Sequence, residues 1–174
     1  PLNAVVEKLE RRQEKKNPPL LYNLAELQND CSRILKQSPD ETLQTVQELY
    51  EKKLVTYPRT DARVLSTAVA KEIHKNLQGI ASLPELGGYA KEILEQGSFR
   101  AIGKSRYTND KQITDHYAII PTGQGLKALP GLSGNRAKVY EMIVRRFLSI
   151  FYPPAVYQKA SLVTMIGTER FFSS

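Results

Sequence analysis

Two prolyl pairs, Pro18-Pro19 and Pro153-Pro154, bracket a stretch whose apolar residues recur largely at helical spacing. Proline disfavours helical geometry at the residue before it and cannot continue a helix, so each pair marks a boundary. Between the pairs, Leu24, Leu27, Cys31 and Leu35 predict a helix over about 24–36, with Asn23 placed to cap it. Ser38-Pro39-Asp40-Glu41 then joins a serine cap, proline at the first helical position, acid in the first turn and the capping-box glutamate. A second helix starts there, with Leu43, Val46, Leu49 and Tyr50 as its apolar stripe and Lys52-Lys53 at its close. Val69, Ile73 and Leu77 predict a third helix over roughly 66–77, and Tyr89, Ile93 and Leu94 a shorter one. Val139, Tyr140, Ile143, Val144, Phe147, Leu148 and Phe151 predict a strongly amphipathic helix over 135–151. The segment 98–132 holds Gly, Pro and Asn throughout and reads as loops with short strands.

The ends differ from this helical middle. Residues 1–17 carry alternating charges and fit either a surface helix or an edge strand, which periodicity does not separate. The run from Val156 to Phe172 reads as strand or hairpin material that stops without a partner, and such edges need pairing elsewhere. The first methionine is Met142, so the chain is expected to be a piece of a larger protein. The expected fold class is mainly α with some β: a helical domain over 18–153 with short strands near Tyr57 and in the loop-rich region, and strands at 1–17 and 154–174.

The 174 residues suffice for one sizeable core, and 41% hydrophobic content is ordinary for a globular protein. No apolar run is long enough to cross a bilayer and no signal-peptide pattern opens the chain, so a non-membrane, cytoplasmic protein is expected. A single cysteine, Cys31, can make neither an internal disulfide nor a zinc site and suits a buried helix position. The net charge is +7, and its placement is uneven: residues 97–146 hold nine basic side chains against three acidic ones. Clustered Lys and Arg suit a polyanion such as nucleic acid, and equally a solvated basic surface.

Leu54-Val55-Thr56-Tyr57 is a β-prone run ended by Pro58, which predicts an extended Tyr57 with Arg59 projecting to the same side. A phenol titrates near pH 10, so a nucleophilic tyrosine needs a cation, a hydrogen-bond donor or a base beside it. Arg59 could stabilise a phenolate or brace a phosphate with its forked donors. Spacing alone favours a plainer reading, a packing tyrosine beside a surface arginine. His116 could donate a hydrogen bond or a proton, whereas His74, in a helix among lysines, reads as structural. Asp61 reads as a cap and Asp115 as a turn or ion-pair residue.

Two motifs change these odds. Leu54-Val55-Thr56-Tyr57-Pro58-Arg59-Thr60-Asp61 resembles the active-site motif of type IA DNA topoisomerases of the topoisomerase III branch, and Thr114-Asp115-His116-Tyr117-Ala118-Ile119-Ile120-Pro121-Thr122 resembles their second signature. The likeness extends to Pro-Pro-Leu-Leu-Tyr-Asn-Leu-Ala-Glu-Leu-Gln before the first motif and to Val144-Arg145-Arg146-Phe147-Leu148 with Phe-Tyr-Pro-Pro near the end, so it covers most of the chain. It implies an ATP-independent isomerase that cuts one DNA strand through a 5′-phosphotyrosine bond, passes DNA through the gap and reseals it. In that scheme Tyr57 attacks, Arg59 positions the scissile phosphate and His116 serves the phosphate or the active-site network. Arg59, Arg106, Lys111 and His116 are the expected contacts to DNA, preferentially single-stranded.

The resemblance also implies that residues 1–17 and 154–174 belong to a β-rich arch, from which the helical domain swings to open a gate. It implies Mg2+ held outside this chain by an acidic domain with Asp-x-Asp carboxylates, a pattern this sequence does not contain. A cytoplasmic, nucleoid-associated location follows for a bacterial protein. Tyr117 stands where a second histidine is common and Ala62 where serine is common. The alternatives are a non-catalytic single-stranded nucleic-acid-binding module of the same fold, or another tyrosine-nucleophile enzyme. The latter would need an arginine array or a histidine cluster, and the two histidines lie far apart in sequence.

Overall fold

A computed structural model describes residues 8–163 and 170–173. They divide into two compact units, Pro19–Tyr152 and the residues on either side of it.

The larger unit is predominantly helical. Helix α1, Leu24–Leu35, begins where the Asn23 side chain accepts the Glu26 amide at 2.8 Å, and it buries Leu27 and Cys31. Burial pushes the Cys31 thiol up, in keeping with a small apolar residue. Helix α2, Pro39–Glu51, begins at Ser38, whose hydroxyl accepts the Glu41 amide; it packs on α1 and α6 and buries Val46 and Leu49. Both caps satisfy amides that the first helical turn leaves without partners.

The single third helix expected over 66–77 is instead two, α3 (Thr67–Lys71) and α4 (Ile73–Ile80), broken at Glu72. The halves have different anchors. Thr67 donates through both its amide and its hydroxyl to Asp110, whereas the Asn76 side chain donates to the Pro121 carbonyl. Helix α5, Leu86–Gln96, ends at Gly97 in the left-handed region. Helix α6, Asn135–Ser149, buries Val139, Tyr140, Ile143, Val144, Phe147 and Leu148, all on its apolar stripe. Phe147 is fully buried in the core, so truncation to alanine would cost about 3–5 kcal/mol.

The segment 98–132 makes 3-10 turns at Ser98–Lys104, Asp110–Gln112 and Leu126–Gly131. Where short strands were expected there are isolated bridges: Tyr22 with Ile119, Val55 with Pro121, and Leu65 with Thr108. Each is a single rung that does not extend into a ladder. Close glycine contacts seat the loop that follows. A Cβ on Gly79 of α4 would fall 2.3 Å from the Gly123 carbonyl oxygen, and one on Gly125 the same distance from that of Lys52.

The second unit is a three-stranded antiparallel sheet in the order β1-β2-β3: β1 is Lys8–Lys16, β2 Ala155–Val163 and β3 Arg170–Ser173. Lys8 pairs with Val163 and Lys16 with Ala155. Residues 1–7, 164–169 and 174, included in the expectation for the two ends, lie outside the described residues.

Candidate active site

Three stretches of irregular backbone lace together around Tyr57. Thr56 carries the central knot: its amide donates to the Ile120 carbonyl at 3.0 Å, its hydroxyl donates to the Ala118 carbonyl at 3.0 Å, and that hydroxyl accepts the Ile120 amide at 2.9 Å. The Thr60 hydroxyl donates to the carbonyl of His116 itself at 3.3 Å. On the other side, the Ala118 amide donates to Val64 and the Ile119 amide to Tyr22. Residues flanking Tyr57 thus hold the backbone at His116 and just beyond it. Residues 59 positions apart in sequence come into contact, with the Tyr57 and His116 rings at 4.4 Å between centroids and tilted by 37°.

The two rings line an open cleft of about 860 Å³ with Tyr50, Glu51, Lys53, Val55, Thr56, Tyr117, Thr122 and Gln124. Tyr57 is half-buried and His116 exposed, so both reach solvent from a fixed backbone. Tyr117, at the second-histidine position, is half-buried, and burial pushes its phenol up, which keeps it protonated. Ala62, at the serine position, is buried, and its amide donates to the Thr60 hydroxyl.

Tyr50 was expected in the apolar stripe of the second helix. It is instead 39% exposed, and its ring meets Tyr57 edge-on at 5.3 Å. Helical phase places a residue near a stripe, but Tyr50 follows the fully buried Leu49 and turns to the cleft rather than the core.

Arg59 is exposed and does not line the cleft. The same-side expectation needs an extended chain, but the Thr60 amide donates to the Pro58 carbonyl at 3.0 Å, closing a tight turn centred on Arg59. Arg106 and Lys111 are also exposed, on the segment that bonds to Leu65 through Tyr107 and Asn109, and they are not cleft residues. Three cations of the basic stretch are committed elsewhere. Arg136 pairs with Glu48, Arg145 with Glu141, and Arg146 turns inward to Asp30. Arg100, Lys104, Arg106, Lys111, Lys127 and Lys138 remain exposed.

Asp61 does not cap a helix. Ser66 caps α3, and Asp61 offers its carbonyl to Asn23. Among the described residues no group of three or more His, Cys, Asp or Glu side chains could hold a metal ion. Glu51 is the one carboxylate on the cleft, too few oxygens for a hard divalent cation. No described helix is long and apolar enough to cross a membrane.

A phenol and an imidazole thus lie ring to ring on an open cleft, carried by two motifs that clamp each other's backbone. The DNA topoisomerase family profile matches residues 2–174, and the chain belongs to that family, in its type IA branch. More particularly, it is 39% identical over 169 residues to DNA topoisomerase 3 of Bacillus subtilis strain 168, covering 97% of this chain and 23% of that protein. It is 33% identical to DNA topoisomerase 3 of a Bacillus cereus strain over 173 residues, with similar coverage. The solved structure of full-length topoisomerase I from Thermotoga maritima superposes with a TM-score of 0.63 at 25% identity, over 97% of this chain and 27% of that one. The chain spans about a quarter of the length of the relatives it matches.

Proposed function

We propose that this chain presents the nucleophile of a DNA strand-cleaving and rejoining reaction, with Tyr57 as the attacking residue. The Tyr57 oxygen bonds to the scissile phosphorus, the bond from phosphorus to the 3′-oxygen breaks, and the 5′ end stays on the protein. The phenol gives up its proton and the departing 3′-oxygen gains one. Reversal of these steps reseals the strand, so no ATP is required. The observation that carries this reading is the 4.4 Å contact of Tyr57 with His116 in an open cleft.

His116 serves as a hydrogen-bond donor to the phosphate or as a proton carrier for the 3′-oxygen. Arg59, exposed on its turn, braces the phosphate once DNA is bound, and Arg106 and Lys111 hold the strand on either side by backbone contacts. The substrate is single-stranded DNA, the location cytoplasmic, and Mg2+ is held by an acidic domain outside this chain, where it organises the phosphates. Residues 1–17 and 154–174 belong to an arch adjoining a helical domain of residues 18–153.

Mixing the intact protein with Mg2+ and an end-labelled single-stranded oligonucleotide is expected to give an adduct that survives denaturation. Tyr57→Phe should give none. An adduct of undiminished yield in Tyr57→Phe would overturn Tyr57 as the nucleophile, and salt-sensitive binding with no adduct in the parent would favour a non-catalytic binding module. The isolated 174-residue chain is expected to bind single strands weakly and to leave supercoiled DNA unrelaxed.

A further inference from the structure

The C-terminal end of α2 and the turn that closes it carry two exposed side chains on the cleft, Tyr50 and Lys53. Val46 and Leu49 are fully buried, yet Tyr50 beside them is left 39% exposed on the cleft. Lys53 follows where the helix stops. The Leu54 amide donates to the Leu49 carbonyl at 2.9 Å and the Lys53 amide to that of Tyr50 at 2.8 Å, a Schellman closure with Lys53 left-handed at φ 65°. Glycine is the unstrained residue at such a position. The turn is braced by the loop that follows His116, because the Thr122 hydroxyl donates to the Lys53 carbonyl at 2.5 Å and Gly125 packs on Lys52.

Resting on the reading of Tyr57 as nucleophile, we propose that Tyr50 and Lys53 form a nucleotide subsite: the Tyr50 ring stacks an unpaired base and the Lys53 ammonium holds the adjoining phosphate. An aromatic face open to solvent is a platform any unpaired base can use, and an ammonium supplies the backbone contact beside it. Among the described residues no carboxylate is in ion-pair range of Lys53. Glu51 also lines the cleft, but Lys52 and Lys53 leave the turn net positive. Lys36 ends α1 in the same left-handed conformation, at φ 56°, and lines no such cleft, so conformation alone assigns nothing. The conjunction of an open ring, an unpaired ammonium and the nucleophile's cleft makes the assignment. The strand is thereby gripped in the reacting phosphate's own cleft by the same helix end that contacts Tyr57.

The test is equilibrium binding of a fluorescein-labelled single-stranded oligonucleotide to the intact protein in a Tyr57→Phe background, over a range of salt concentrations. Tyr50→Ala should weaken binding roughly tenfold, as loss of one base stack does, while Tyr50→Phe binds as the parent. Lys53→Gly should raise the melting temperature by relieving the left-handed lysine, yet weaken binding and lower the log–log salt slope by about 0.7. Parent-like binding by Tyr50→Ala, or an unchanged salt slope in Lys53→Gly, overturns the subsite. Failure of the Tyr57 assignment would show separately, as an adduct formed by Tyr57→Phe, because binding is read here without cleavage.

Discussion

Tyr22 and Tyr57 make an instructive pair, since each is a tyrosine set among charged or titratable partners, and only one is left open. Tyr22 is 3% exposed, donates to Asp30 at 2.6 Å and lies under the Arg146 guanidinium at 4.1 Å from its ring centroid. Arg146 also donates to the Leu20 carbonyl at 2.8 Å and pairs with Asp30, which in turn takes Arg33. Burial and the Asp30 hydrogen bond drive the Tyr22 phenol far up, so it stays protonated. Tyr57 has rings beside it, solvent before it and no such closed network. An arginine near a tyrosine therefore does not mark a nucleophile. The cluster whose polar atoms are all engaged is architecture, and the cleft whose polar groups await a partner is where chemistry can occur. The two are connected, because the Tyr22 carbonyl accepts the Ile119 amide and so supports the strand of loop that bears His116.

The contrast breaks most sharply on the two hydroxyls. Tyr57→Phe should lower DNA cleavage by on the order of 10³-fold or more at unchanged melting temperature, because the nucleophile is gone and its ring remains. Tyr22→Phe should do the reverse, keeping cleavage and losing about 2 kcal/mol of stability with the bond to a charged acceptor. Denaturant titration and single-turnover cleavage on both variants would decide it. Arg146→Ala should cost about 1–3 kcal/mol, since it takes one charged partner from Asp30, which keeps Tyr22 and Arg33, and one donor from the Leu20 carbonyl, which keeps Arg63.

Acid sharpens the same point with a smaller effect. Burial pushes the Asp30 carboxyl up, but hydrogen bonds from Tyr22 and Arg33 and the Arg146 charge outweigh it and hold it below its ordinary range. Folding thus favours the carboxylate. That contribution is complete above the unfolded value of about 4 and is lost as the pH falls through the lower folded value. Stability measured between pH 6 and pH 2 should decline less steeply in Asp30→Asn, which starts lower at pH 6. The smallest change is expected from Tyr140→Phe. That hydroxyl is buried without a hydrogen-bond partner, and burial pushes it up to about 12, so its removal should leave the melting temperature equal or slightly higher.

What the sequence disclosed follows a physical line. The helices with local signals, such as the caps at Asn23 and Ser38 and the apolar stripe of α6, read directly because their causes lie within one or two turns. The break at Glu72 did not, because its anchors, Asp110 and Pro121, come from elsewhere in the chain. The Tyr57 and His116 motifs were legible as residues, but their contact depends on bridges from Thr56 and Thr60 across some sixty residues, which no local pattern encodes. Counting charge along residues 97–146 credited Arg136, Arg145 and Arg146 to a ligand surface, although each has a carboxylate of its own in the fold. Tyr50 was hidden for a related reason. Its spacing fits a buried stripe, and only the fold shows that it faces the cleft.

Three tyrosines line that cleft, Tyr50, Tyr57 and Tyr117, so the most direct test is to find which one carries the DNA. The adduct trapped from the intact protein would be digested with protease and nuclease, and the nucleotide-linked peptide identified by mass spectrometry. The expected result is a single peptide spanning Leu54 to Arg59, modified on Tyr57 through a 5′-phosphate. Linkage to Tyr50 or Tyr117, or through a 3′-phosphate, would contradict it.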